Sequence, residues 1–153
     1  MGNICRSPTG EGVMRHLLAE RGLADHVRVD SAGTHAYHVG NPADARMRAA
    51  AERRGISLGS IARQAEADDF ERFDVVVAMD RDNRRDLLDL ARRAGRGTPA
   101  NLVLMSEFLP GGRPVDVPDP YYGGAEGFEE VLDLVEEACP VLLDHLLSLP
   151  SGR

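Results

Sequence analysis

The residues best suited to chemistry open the chain, in the run Gly2-Asn3-Ile4-Cys5-Arg6-Ser7-Pro8. Glycine and asparagine tolerate the left-handed backbone that turns successive N–H groups inward, which makes a concave anion site. A helix starting at Pro8 adds unpaired N–H groups and the positive end of its dipole. Arg6 adds a planar fork that grips two oxygens of one phosphate. Ser7-Pro8 alone would be an ordinary capped helix start, but Gly-Asn-x-Cys-Arg-Ser ahead of it points to an oxyanion of phosphate type. A second group, Asp119-Pro120-Tyr121-Tyr122, sets a carboxylate beside two aromatic rings. Asp-Pro by itself commonly just starts a turn. His16, His26, His35, His38 and His145 show no metal-ligand spacing, and Cys5 and Cys139 suit neither a disulfide framework nor a zinc site.

The elements that must position these groups read as an alternation. A helix is expected from Pro8 to about Leu23 with Ser7 as its cap, then a short strand over 27–30 and a second helix from Pro42 to Arg54 ended by Gly55. A short helix is expected over 68–73. Residues 75–79 form a continuous apolar run, the pattern of a strand buried on both faces. A helix over 81–94, a strand over 102–105, a proline-rich loop over 110–124 and a last helix over 125–149, kinked at Pro140, complete the chain. Strands alternating with helices predict an α/β fold with a parallel sheet covered on both faces. Functional sites in such folds lie at the carboxyl ends of the strands.

Composition narrows the function classes. The chain has 153 residues, 42% apolar and 28% charged, enough for one domain with a real core. Its net charge of −7 argues against a general nucleic-acid coat, which needs clustered cations. All 18 cations are arginine, which reads as compositional bias. No apolar run approaches the roughly 20 residues of a membrane helix, and no secretory leader is recognised, so a cytoplasmic location without membrane insertion is expected.

The opening run resembles the phosphate loop of the low-molecular-weight protein tyrosine phosphatases, C-x5-R-S/T. Further matching segments are 29–33, 40–44, 62–64, Phe73-Asp74, Met79-Asp80 and 119–123, in the family's order and approximate spacing. The resemblance implies a flavodoxin-like three-layer α/β sandwich and a single domain over residues 1–153. It implies hydrolysis of phosphotyrosine through a phosphocysteine intermediate, with no metal or organic cofactor. Arg6, Ser7 and Asp119 would be catalytic: Arg6 on the phosphate oxygens, Ser7 on the thiolate, Asp119 as general acid rather than nearby Asp116. Gly2, Asn3, Ile4, Cys5 and Arg6 would bind phosphate, Asn3 holding the loop in shape. Tyr37, Tyr121 and Tyr122 would wall the cleft. Asp80, Asn83, Arg63 and Glu11 would brace the loop. The partner would be a phosphotyrosine protein or a small aryl phosphate; the oligomeric state is not implied.

One departure stands against these matches. The family's nucleophilic cysteine lies six residues before the loop arginine, and only five residues precede Arg6. Cys5 matches instead the family's second loop cysteine, which can form a reversible protective disulfide with the nucleophile. The apolar strand leading into the loop is also not among these residues, so the chain is expected to be incomplete at its N-terminus. The family's sheet has four strands, and this one would be central, between the strands at 27 and 75. Its absence predicts an open slot and an inactive chain, unstable or rearranged in solution. The alternative is a catalytically dead module that binds phosphate or phosphotyrosine. Arsenate reduction ranks lower, because it needs additional thiols well down the chain. Ile4 favours an aryl phosphate, since a threonine there is associated with phosphoarginine.

Overall fold

In a computed structural model, which describes residues 4–112, 116–121 and 123–150, strand β1 (Val76–Ala78) pairs in parallel with β2 (Leu102–Leu104). The register sets Val76 against Leu102 and Ala78 against Leu104. Side chains alternate between two apolar cores, one on each face of the sheet. Val75, Val77, Met79, Val103 and Met105 join the larger core, whereas Val76, Ala78, Leu102 and Leu104 join the smaller. A strand buried on both faces must be apolar at every position, which is why residues 75–79 read so clearly.

Helix α4 (Arg81–Arg93) covers the smaller core with Leu87 and Ala91, beside the short α3 (Asp69–Arg72) and its Phe70. The larger core is closed by α1 (Arg6–Glu20), α2 (Ala45–Glu52) and the long α5 (Ala125–Ser148). Val131, Leu132, Val135, Ala138, Cys139 and Leu143 form the buried stripe of α5. Arg54, just past α2, reaches Glu129, Asp133 and Glu136 on α5 and ties the two helices together. Turns of 3₁₀ helix at Met105–Phe108 and Pro110–Gly112 follow β2. The arrangement is the expected α/β fold of flavodoxin type. Among the described residues, no helix is long and apolar enough to cross a membrane.

Four expectations are corrected. The first helix begins at Arg6, so Ser7 lies inside it; Cys5 is the cap residue, and its carbonyl accepts from the Thr9 N–H and hydroxyl. That helix also ends at Glu20, short of Leu23. The second helix starts at Ala45 because the Asp44 side chain accepts from the Arg46 and Met47 N–H groups, while Pro42 is held in a bridge to Ile61. Residues 27–30 form no ladder; they and β1 line the same cavity. Pro140 lies inside the last helix, where the sequence placed it.

Close approach explains two glycines of α1. A Cβ at Gly12 would fall on the Leu58 side chain and 3.0 Å from the Ser57 carbonyl oxygen. At Gly10 the nearest atom is the flexible end of Met79. Gly12→Ala is therefore expected to destabilise by about 1–2 kcal/mol despite its better helix propensity, because overpacking against backbone outweighs it. Gly10→Ala should be close to neutral. Urea unfolding of both variants checks the contrast.

Candidate functional site

The carboxyl end of β1, the start of α1 and the loop before α5 converge on one guanidinium. Arg6 is 4% exposed. Its Nη1 donates to Asp80 Oδ2 at 2.6 Å and to the Val117 carbonyl at 2.7 Å. Its Nη2 lies 4.0 Å from Asp119 Oδ2. Asp80 stands two residues past β1 and caps α4, its other oxygen accepting from the Asn83 N–H at 2.7 Å. Burial works against the Asp80 carboxylate, but the hydrogen bonds from Arg6 and Asn83 and the charge of Arg6 hold it below the usual range. Val117 also donates its N–H to the Met79 carbonyl, which pins the loop to the end of β1.

Asp119 and Asp116 face different arginines. Asp116 is engaged by Arg81, through the backbone N–H and a guanidinium contact at 3.1 Å. Asp119 points toward Arg6, and its Oδ1 accepts from the Tyr121 N–H at 3.1 Å, the local turn that Asp-Pro favours. Tyr121 is half-buried and faces His38, with ring centroids 5.6 Å apart. Tyr37 stands 80% exposed on the same rim and stacks on His35 at 5.4 Å. Gly2, Asn3 and Tyr122 fall outside the described residues.

Cys5 is buried, and its thiol is pushed up to about 12 by burial and then by the nearby Asp44 and Asp119 carboxylates. Such a thiol is protonated at neutral pH and is no nucleophile. Ser7 is half-buried and lines the same cavity as Cys5, Arg6 and Asp119. Ile4 is buried, and its carbonyl accepts from the Asp44 N–H at 2.7 Å, which ties the entry of α1 to the cap of α2. Of the bracing residues, Glu11 accepts from the Ser31 hydroxyl at 2.7 Å, and Arg63 links Asp30 to Asp69. Asp80 bonds Arg6 itself, and Asn83 in turn bonds Asp80.

Sequence reading missed Arg46 and His38. Arg46 binds the Asp44 carboxylate through Nε and Nη2, donates to the Tyr121 carbonyl at 3.0 Å, and lies over the Tyr121 and Phe128 rings. It thereby fastens the loop holding Asp119 to the start of α2. Nothing marks it in a helix rich in alanine and arginine, although Asp44 two residues earlier carries a recognisable cap signature.

A buried cation beside a partly exposed carboxylate, at a helix start rimmed by aromatic rings, can hold an oxyanion and donate a proton to its leaving group. Comparison with known proteins agrees. Residues 1–149 match the family model "Low molecular weight phosphotyrosine protein phosphatase". The low molecular weight protein-tyrosine-phosphatase of Streptomyces coelicolor is 41% identical, over 99% of this chain and 93% of its own length. A protein tyrosine phosphatase from Entamoeba histolytica, crystallised with Hepes in its active site, superposes with a TM-score of 0.88 at 41% identity, covering 96% of this chain and 92% of that one. A Drosophila arginine phosphatase superposes with the same TM-score at 31% identity, covering 98% and 96%.

Two outcomes follow from the geometry. Because the folded Asp80 value is depressed, its stabilisation is complete above the ordinary value of 3.8 and is lost as pH falls through the lower folded one. Asp80→Asn keeps a cap and an acceptor but loses the charge, so it should lose about 1–2 kcal/mol at pH 7. The gap to the parent should close below about pH 4 in urea titrations. Cys5, with roughly one thiolate in 10⁴ at pH 8, should resist iodoacetamide at least 100-fold better than the unfolded chain, as followed by intact mass.

Proposed function

The chain belongs to the low molecular weight phosphotyrosine protein phosphatase family, and from that membership we propose that its domain hydrolyses aryl phosphate esters of the phosphotyrosine type. We read residues 1–153 as one domain, with the activity in the cytoplasm. Both cysteines are free thiols, in keeping with a reducing compartment. The observation that carries the reading is the Arg6 guanidinium, buried, held by Asp80 and the Val117 carbonyl, and set 4.0 Å from Asp119.

In the proposed reaction a cysteine thiolate, six residues before Arg6, attacks phosphorus. The aryl oxygen leaves as its bond to phosphorus breaks, taking a proton from Asp119. Water then attacks the phosphocysteine and gives its proton to Asp119. The S–P bond breaks, and inorganic phosphate and the thiolate are released. Arg6 and the loop N–H groups, Gly2 to Cys5 among them, stabilise the charge on the equatorial oxygens. Ser7 hydrogen-bonds the thiolate, and Tyr37, Tyr121 and Tyr122 flank the aromatic ring. No metal or organic cofactor takes part. Ile4 and the aromatic rim support an aryl ester over a phosphoarginine.

The nucleophile's position falls before Met1, so the 153 residues alone are proposed to bind the phosphate group without turning it over. This second reading, capture without catalysis, is favoured by Arg6 standing oriented in the chain as it is. Turnover of p-nitrophenyl phosphate by three proteins tests both. The 153-residue chain should be silent, the chain extended by an apolar segment ending in cysteine should be active, and the same extension ending in serine should be silent. In the active form, Asp119→Asn should lower kcat by about 10²–10⁴ with little change in KM. Turnover by the 153 residues alone would overturn the assignment of the nucleophile.

A further inference from the structure

Five large apolar side chains stand exposed among the described residues, and three of them, Tyr37, Val39 and Ile61, come from two segments that are bridged to each other. Val39 is 53% and Ile61 57% exposed, and Pro42 is exposed as well. Residues 31–43 and 55–62 contain no aspartate, glutamate or arginine, in a chain of which 28% is charged. Loops that only meet water carry such charges. Surface that sheds them and gathers apolar side chains has the composition of an interface core.

Backbone bonds fix the two segments to each other. Pro42 bridges Ile61 in the antiparallel sense, the Gly40 N–H donates to the Ala62 carbonyl at 2.8 Å, and the Ala62 N–H donates to the Asn41 carbonyl at 2.7 Å. Pro42 has no N–H to exchange, so this pair is of the non-hydrogen-bonded kind, whose side chains approach most closely. Ala43, Leu58 and Ala62 turn into the larger core, which leaves Pro42 and Ile61 together on the outer side. The two arginines that flank the segments are engaged, Arg46 by Asp44 and Arg63 by Asp30 and Asp69. The histidines of the charge-free run are turned elsewhere, His35 to Asp86 and His38 to the Tyr121 ring. Such a surface does not suit a lipid headgroup or a nucleic-acid backbone, which need clustered cations.

We propose that Val39, Pro42 and Ile61 dock an apolar stretch of the protein substrate next to its phosphotyrosine. The proposal rests on the phosphatase reading for one thing, the anchor at Arg6. Position argues for this occupant. Val39 follows His38, which lines the cavity of Arg6 and Asp119 and faces the Tyr121 ring. The uncharged surface therefore begins where the aromatic rim ends. Val39 is two residues from Tyr37, at most about 7 Å along an extended chain. A substrate side chain two or three places from the phosphotyrosine spans that distance. An isoleucine there loses apolar surface to the patch, whereas an aspartate loses water and meets no cation. The patch thus selects by rejecting charge as well as by burying carbon.

The test titrates the isotope-labelled 153-residue chain with glycine-rich phosphotyrosine peptides and follows backbone amides by NMR. Each peptide carries one isoleucine or one aspartate, moved through the positions on either side of the phosphotyrosine. Phenyl phosphate, which has no flanking chain, and the same peptides without phosphate are the comparisons. At one position, or two adjacent ones, isoleucine should bind about tenfold tighter than aspartate and shift the amides of residues 39–42 and 60–62. The double variant Val39→Ser, Ile61→Ser should reduce that preference below about twofold, with phenyl phosphate binding unchanged as the sign of an intact fold. Equal affinity for all peptides, with phenyl phosphate still bound, would overturn the patch and leave the phosphatase reading standing. Binding of the isoleucine peptides with and without phosphate alike, and no binding of phenyl phosphate, would uphold the patch and overturn that reading. A preference that survives the double variant would overturn the patch. So would shifts of residues 39–42 and 60–62 that grow with protein concentration alone, which assign the surface to a second copy of the chain.

Discussion

A guanidinium withdrawn from water must be met by an anion and by oriented dipoles, and the site is organised by how Arg6 satisfies that demand. Its Nη1 takes one oxygen of Asp80 and the Val117 carbonyl. Each partner does a second thing. Asp80 caps α4 with its other oxygen, so the same carboxylate sets the helix that covers one face of the sheet. Val117 gives its N–H to Met79, so the loop carrying Asp119 hangs from the end of β1. One buried charge thus gathers the start of α1, the end of β1, the start of α4 and the approach to α5.

A second arginine finishes what the first begins. Arg46 joins Asp44, the Tyr121 carbonyl and the rings of Tyr121 and Phe128. The loop with Asp119 is therefore held from both sides, by Arg6 and Val117 on one and by Arg46 on the other. Asp44 also raises the Cys5 thiol while it receives Arg46, after burial as the larger cause. The carboxylate that steadies the aromatic wall thus adds to the burial that pushes the Cys5 thiol up. Arginine suits both positions because each needs several donors fixed in one plane.

The sequence made legible those features that depend on one segment at a time. The strand at 75–79 was readable because burial on both faces forces an unbroken apolar run, and α4 because its apolar side recurs at helical spacing. Family membership was readable from the residue types and order of the opening run and of the segment at Asp119. Residues 27–30 were misread because their side chains satisfy a strand pattern, whereas a strand is a property of a pair of backbones. The start of α1 was misplaced because a serine before a proline looks like a cap, while the helix is set by what the Cys5 carbonyl accepts from Thr9. Arg46 was invisible for a different reason: apart from Asp44, its partners lie on α5 and on the loop at 121, far away in the sequence.

The division of labour within Arg6 accounts for why this position needs a fork and not a point charge. Nη1 faces Asp80 and the Val117 carbonyl, so its two hydrogens have structural partners. Nη2 is turned toward Asp119, on the side from which a substrate oxyanion would approach. A lysine ammonium has three donors at one point. Seated against Asp80, it would leave nothing directed at the other side; seated toward Asp119, it would abandon a partly buried carboxylate. Only a planar cation with donors on separate nitrogens spans the two tasks at once. The proposed anion site thus shares one rigid guanidinium with the contacts that hold the fold, and a change that loosens one loosens the other.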